Sequence, residues 1–429
     1  MKLFNKKIIL SAILASGVIL QADWKTDAGD ILQIAIPVSA LAGTYVVDDK
    51  DGRSMLVKGF ALNTVVVHTT KFSVEKWRPK GQNPESFPSG HTAAAFGGAA
   101  FIQTRYGYEY GIPAYALAGF VGYSRIISEN HYADDVLAAA SLAMMSNWAF
   151  TEPLVDDVTL SASQTKDGVK IALNFPIATK NQISEPPRQI KSINFDPDVR
   201  FIFEFGAVWM HKNEIKSSSP DGDTIDFDTY AGTADPTTSI RSGFEFYLDK
   251  KNEVFIQFSP YEMRVIGNLS RDTNFDGHTY LASTTDNTFM AYRWNEYRTR
   301  WRYKLIDNKD FLFKLGLGVS ISDNEVELSE LTGSQTTSTI SSLVVLPIGH
   351  IHTGLKVGTQ SELYAEIDAG AIANEYILDT TIQYKYKLSK HWDIAAGYRY
   401  QSMRIDSSGL YNHFSSDHVV MNLGYAFTY

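Results

Sequence analysis

The chain has no cysteine among its 429 residues. That absence excludes disulfide scaffolds, thiol catalysis and cysteine-based metal sites. It says nothing about compartment, because many exported bacterial proteins also lack the residue. Surplus positive charge is missing too: 39 Lys and Arg face 48 Asp and Glu, for a net charge of -9. Such a balance argues against a nucleic-acid partner held by a basic surface. Nor is there a convincing helical span of the roughly 20 apolar residues that a bilayer requires. The apolar share of 44% and the charged share of 20% are ordinary for folded protein, which rules out a disordered or collagen-like chain.

What is present is unevenly spread. Length alone suggests two or three domains of about 150 residues each. Of the 24 Phe, 23 Tyr and 7 Trp, 34 lie in residues 200–429. At the N-terminus, Lys2, Lys6 and Lys7 precede the uncharged run Ile8–Leu20, which is followed by Gln21-Ala22-Asp23. This predicts a secretory signal peptide over residues 1–22, cut near Ala22. A run of 13 residues is too short for a membrane anchor.

The first half predicts four helices: Asp30–Val47, Thr92–Gln103, Ile112–Ser124 and Asp134–Phe150. They are apolar nearly all round, as in a buried bundle, and a soluble all-α bundle over residues 23–177 is expected. A closing hairpin is expected from Thr159–Ala162 and Val169–Asn174, which flank a turn ending in Gly168. The polar stretch Thr179–Asn194, with Pro186-Pro187, marks a linker over 178–199.

From Arg200 onward the period changes from 3.6 to 2. Phe311, Phe313, Leu315, Leu317, Val319 and Ile321 alternate with Lys314, Gly316, Gly318 and Ser320. Tyr297, Thr299, Trp301, Tyr303 and Leu305 alternate with Arg298, Arg300, Arg302 and Lys304. These are strands with one apolar and one polar face. About ten are expected over 200–429, with eight or twelve as bounds. Short connections such as Asp249–Asn252, Asp307–Asp310 and Val357–Gln360 interleave with mostly longer ones, chiefly Lys212–Thr237 and Asn268–Asn287. That asymmetry predicts an antiparallel outer-membrane β-barrel, in which closure removes every edge. The final alternation from Val419 to Tyr429 resembles the terminal signal by which the barrel assembly machinery recognises such proteins. Alternation alone does not say which face points inward, so a water-soluble barrel or sandwich stays open. Because the first long connection follows the first strand, that strand should run outward, with the N-terminal domain in the periplasm.

Between Lys71 and Asp135 lies a set of residues suited to a tetrahedral dianion. Lys71 stands seven residues before Arg78-Pro79; Pro88-Ser89-Gly90-His91 follows; then come Ser124-Arg125, His131 and Asp135. Lys71, Arg78 and Arg125 supply three cations whose forks match phosphoryl oxygens. Ser89-Gly90 opens an Ala-rich helix, where free backbone N–H groups favour an anion. His131 and Asp135, four apart, are close enough for a carboxylate to orient an imidazole. Taken singly, each of these has an ordinary structural explanation; the order and spacing together do not.

The pattern K-x6-R-P, P-S-G-H, S-R-x5-H-x3-D resembles the type-2 phosphatidic acid phosphatase superfamily, which includes bacterial acid phosphatases and vanadium haloperoxidases. The resemblance covers roughly residues 23–176 and does not reach the barrel. It implies His131 as nucleophile, forming a phosphohistidine, with Asp135 holding its ring and His91 as general acid and then base. It implies Lys71, Arg78, Ser89, Gly90 and Arg125 as phosphoryl-binding groups. No metal or other cofactor is needed; His350 and His352 are read as barrel-wall residues. The expected activity is a phosphatase acting on a phosphorylated lipid or small phosphoester, anchored in outer-membrane lipid. Two alternatives stay open: haloperoxidase chemistry with vanadate in the same anion site, and a pore or surface barrel with an auxiliary phosphatase domain, Arg298, Arg300 and Arg302 lining an anion path.

Overall fold

A computed structural model describes residues 24–154, 159–165, 168–174, 199–217, 221–227, 236–333, 335–407 and 409–427. The expected signal peptide, residues 178–198 of the linker and terminal Tyr429 lie outside the described residues. The chain divides into two compact units, one up to Lys191 and one from Ser192 to Thr428.

Among the described residues, the first unit has five helices: α1 Trp24–Val46, α2 Lys50–Ser73, α3 Gly90–Tyr106, α4 Tyr108–Ile127 and α5 Ala133–Trp148. The expected hairpin follows as β1 Thr159–Thr165 and β2 Gly168–Asn174, antiparallel, with Thr165 opposite Gly168. Four helices match the sequence expectation, most of them longer. The fifth, α2, is a correction. Its buried side is Gly52, Leu56, Gly59, Asn63 and Val67, largely small or polar residues that produce no apolar stripe. Asp49 opens it by accepting a hydrogen bond from the Gly52 N–H at 2.9 Å.

Small residues let the helices approach closely. A Cβ at Gly98 of α3 would lie 2.8 Å from the Pro37 nitrogen, so the backbones of α1 and α3 touch there. Ile36, Ala95, Ala99, Ala114, Ala118 and Val121 form one core, and Val67, Ala93, Ala139 and Ala143 another. Gly43 meets Tyr106, so α1 runs parallel to α3; Gly111 meets Gln103 and Gly122 meets Thr92, so α4 runs antiparallel to it. The start of α1, the start of α3 and the end of α4 therefore share one end of the bundle.

The second unit is a closed antiparallel barrel of ten strands. They are β3 Val199–Ser217, β5 Thr237–Tyr247, β6 Asn252–Gly267, β9 Thr288–Asp307, β10 Phe311–Glu330, β11 Thr337–Val357, β12 Ser361–Ile372, β13 Glu375–Lys387, β14 Trp392–Ser407 and β15 Leu410–Phe427. Each pairs with its neighbour, and β15 pairs with β3 to close the wall. Short β4 (Thr224–Asp226) pairs with the end of β3, and β7 (Thr273–Phe275) with β8 (His278–Tyr280) forms a hairpin in the second long loop. The loop asymmetry weakens late in the barrel, as the sequence around Asn374 already suggests. Ile372 pairs with Glu375, and Ser407 with Leu410, so those two connections are tight turns on the rim that bears the long loops.

Structure decides which face points in. Leu315, Leu317, Val319, Tyr297, Trp301, Leu343, Val345 and Ile351 are exposed on the outer wall, whereas Arg298, Arg300, Arg302, Asp368 and Asp379 are buried inside. Apolar outside and charged inside is the arrangement of a barrel in lipid, not of one in water. Arg298 donates to Glu296 at 2.6 Å, to Asp379 at 2.8 Å and to Asp368 at 3.0 Å. Arg302 pairs with Glu245 and, at 2.9 Å, with Glu253, which Lys314 also reaches at 2.5 Å. Toward the long-loop rim the interior turns apolar, with Tyr292, Trp294, Met403 and Phe414 packed together. A cavity of about 100 Å³ lies among the charged groups, room for a few waters. The arginines that were candidates for an anion path are thus neutralised in place.

Removing Arg298 leaves buried Glu296 without its cation and takes one of two arginines from each of Asp368 and Asp379. We expect Arg298→Ala to destabilise the barrel by about 3–5 kcal/mol, read as a lower urea midpoint in vesicles. Wild-type protein in a planar bilayer should show no steady open-pore conductance; such conductance would contradict the filled interior.

Candidate active site

Every sequence-predicted site residue lies at one end of the helical bundle. Ser89 is the N-cap of α3 and accepts a hydrogen bond from the Thr92 hydroxyl at 3.0 Å. Gly90, the first residue of α3, is exposed, with no atom within 4 Å of where a Cβ would stand. The free N–H groups of that first turn and the helix dipole favour an anion beside them. His91 is half-buried, its Nε2 3.3 Å from Asp30.

Three cations surround this turn. Lys71, in the last turn of α2, donates to the Glu85 carbonyl at 2.6 Å. Burial pushes its ammonium below the ordinary lysine range, and the Arg78 charge adds to that. Arg78 sits in a loop closed by its own N–H to Asn83 O at 3.1 Å; its Nε is buried without a hydrogen-bond partner. Arg125, buried at the end of α4, donates to Ser124 Oγ at 3.1 Å and to the Thr26 carbonyl at 2.9 Å, and lies 2.8 Å from Asp30. An unpartnered guanidinium edge and open helix N–H groups suit the oxygens of a phosphoryl group.

His131 is 3% exposed and immediately precedes the N-cap of α5. Its Nδ1 lies 2.7 Å from the Ser86 carbonyl and 3.7 Å from Asp135. A carbonyl oxygen only accepts, so Nδ1 is a protonated nitrogen, and in the neutral ring Nε2 is the one with the lone pair. Asp135 in turn accepts from the Ser86 hydroxyl at 2.5 Å, the Tyr132 N–H at 2.8 Å and Lys76 Nζ at 2.9 Å. Burial raises the Asp135 carboxyl, but the Lys76 charge, the nearby His131 ring and the Ser86 hydrogen bond outweigh it and hold the group down at about 2. The ring of His131 is therefore held directly by Ser86 and at one remove by Asp135.

His91 behaves differently. Burial, Arg125, His131 and Arg78 all push its imidazole below the ordinary value, and Asp30 alone opposes them. Asp30 was not visible in the sequence pattern, being 61 residues before His91 on another helix. Lys76 was hidden between the two motif cations, and Lys76 also binds Asp134 at 2.6 Å. Ser86 carries no spacing signal at all.

An anion pocket with two imidazoles on a helical bundle, joined to an outer-membrane-type barrel, defines the class. The PAP2 superfamily model matches residues 55–153, from α2 to just past α5. The Lipid A 1-phosphatase of Porphyromonas gingivalis is 39% identical over 135 residues, which are 29% of this chain and 30% of that protein. The chain thus spans under a third of the length of this curated relative. Among solved structures, outer membrane protease OmpT from Escherichia coli matches 55% of this chain and 99% of its own, at 9% identity and a TM-score of 0.38. LpxE of Aquifex aeolicus matches 33% of this chain and 91% of its own, at 21% identity and a TM-score of 0.28.

Lys76 is the counter-ion of two buried carboxylates, so its loss should be costly. We expect Lys76→Met to lower stability at pH 7 by about 3–5 kcal/mol. Because the Asp135 carboxyl is depressed in the folded state, its contribution is present above the unfolded-state value near 4 and lost as pH falls toward 2. The gap between wild type and variant should accordingly narrow from pH 5 to pH 2 in thermal unfolding followed by helical circular dichroism.

Proposed function

We propose that the chain is a phosphatase acting on a phosphorylated lipid through a phosphohistidine at His131, with its catalytic domain in the periplasm and its barrel in the outer membrane. The observation that carries this is the Ser86 contact, which places a proton on Nδ1 and makes Nε2 the lone-pair nitrogen of the neutral ring. In the first step Nε2 attacks phosphorus in line, the bond to the leaving oxygen breaks, and His91 supplies that oxygen's proton. Lys71, Arg78, Arg125 and the Ser89-Gly90 turn bind the phosphoryl oxygens and stabilise charge in the transition state. In the second step His91 takes a proton from water, whose oxygen attacks phosphorus; the P–N bond breaks and phosphate departs.

The P. gingivalis relative supports a lipid substrate, with the phosphate of lipid A as the first candidate. The long connection after β3 supports an outward-running first strand and a periplasmic N-terminal domain. The paired charges inside the barrel favour an anchor over a conduit.

Phosphate release by the purified full-length protein is the direct test, measured on lipid A, phosphatidic acid and p-nitrophenyl phosphate. We expect His131→Ala to lower turnover by on the order of 10³-fold or more while the barrel still assembles; unchanged turnover would overturn the proposal. The pH profile gives a second check. His91 must be protonated in the free enzyme, and its pKa is lowered, so kcat/KM should fall with rising pH at a point below the ordinary histidine value. Asp30→Asn removes the one group that opposes this shift and should move that limb further toward acid.

A further inference from the structure

Asp134 and Asp135 stand side by side in the first turn of α5, and both are buried. Asp135 serves the His131 ring. Asp134 belongs to no part of the phosphate-pocket motif, yet it accepts from Lys76 Nζ with both oxygens, at 2.7 Å and 2.6 Å. An ammonium has three N–H bonds. Two go to Asp134 and the third, at 2.9 Å, goes to Asp135 Oδ1. The other Asp135 oxygen, Oδ2, takes the Ser86 hydroxyl and the Tyr132 N–H and lies 3.7 Å from His131 Nδ1. Asp135 therefore turns one oxygen to the cation and one to the histidine, while Asp134 takes the larger share of the cation.

Lys76 is fixed through its backbone as well. Its carbonyl accepts from the Ser86 N–H at 2.9 Å, and the Ser86 carbonyl in turn takes His131 Nδ1. Its ammonium lies 4.3 Å from the centre of the Tyr132 ring. Burial disfavours that ammonium, but the charges of Asp134 and then Asp135 outweigh it and raise it above the ordinary lysine range. Lys76 is thus a permanent cation close to the group that supports the nucleophile.

Such a cation works against the chemistry unless something offsets it. When Nε2 bonds to phosphorus, the leaving oxygen departs with the bonding pair and takes the proton of His91, while the ring keeps its proton on Nδ1. One positive charge passes in this way from His91 to the His131 ring. Negative charge beside His131 favours that transfer. Lys76 and Asp135 alone would cancel. With Asp134, one cation faces two carboxylates and one net negative charge is left.

We propose that Asp134 is a positioning residue for this reaction: by engaging Lys76 with both oxygens it leaves the cluster a net negative charge that supports the His131 ring as it becomes cationic. This rests on the phosphohistidine reading above and adds a residue that the motif does not contain. Asp134 acts through Lys76 and Asp135, not on substrate.

The test uses full-length protein in detergent with p-nitrophenyl phosphate. Asp134→Asn keeps the shape and brings the cluster to zero charge. We expect kcat to fall about tenfold, the effect of a unit charge at roughly 10 Å in an interior of effective dielectric about 20. KM should not rise, because a less negative site does not repel an anion. Asp134→Glu keeps the charge and should stay within about threefold of wild type in kcat. The double variant Lys76→Gln, Asp134→Asn removes one charge of each sign, leaves Asp135 to supply the negative charge, and should recover kcat to within about threefold of wild type. Unchanged kcat in Asp134→Asn overturns the proposal. So does a double variant slower than Asp134→Asn, or a loss that appears as a raised KM, the pattern of a pair that only holds the fold. If circular dichroism shows Asp134→Asn unfolded, the double variant decides: kcat near wild type supports the proposal and a loss of about tenfold overturns it. If the double variant is unfolded, the contrast between Asp134→Asn and Asp134→Glu decides. No phosphate release by wild type, or undiminished release by His131→Ala, overturns the function proposed above and this inference with it; a failure confined to the Asp134 variants overturns this inference alone.

Discussion

One buried carboxylate organises the candidate active-site end of the bundle. Asp135 takes hydrogen bonds from the Ser86 hydroxyl, the Tyr132 N–H and Lys76. Those donors come from the loop after α2 and from the start of α5, so a single side chain fastens two segments that are about 50 residues apart. The Ser89 N–H adds a bond to the Asp135 carbonyl. His131 and the α3 N-terminus are thereby set side by side, each with its reactive groups turned to the same space. A charge buried this deeply persists only with a counter-ion and full hydrogen bonding, and Lys76 supplies the first.

The barrel solves the opposite problem with the same rule. Lipid outside forbids exposed charge on the wall, so the polar half of every strand must be satisfied inside a lumen that ten strands keep narrow. Arginines and carboxylates interlock there, and the end toward the long loops is closed by aromatic and aliphatic side chains. Such an interior is a packed core of mixed polarity.

Much of this was legible in the residues. The period of 2 from Arg200 onward predicted about ten strands, with eight or twelve as bounds, and ten close the barrel, because each strand needs an uninterrupted alternation to present one face to lipid. The eight motif residues were visible because their chemistry demands particular types at particular spacings. What escaped was α2, whose contacts are made by glycine and asparagine, and the supporting cast of Ser86, Lys76 and Asp30. Those residues act through contacts between segments distant in sequence, and no local period records them.

The sequence by itself determined the helical class of the first half, the antiparallel barrel class of the second, and which residues are candidates for a phosphate pocket. All of these follow from periodicity and from residue type. Only the tertiary structure decided which barrel face looks outward, that the lumen arginines are neutralised, and that Ser86 rather than Asp135 is the direct partner of His131. Each of those depends on which side chains from separate strands or helices come within about 3 Å of each other, a distance that folding sets and chain order does not.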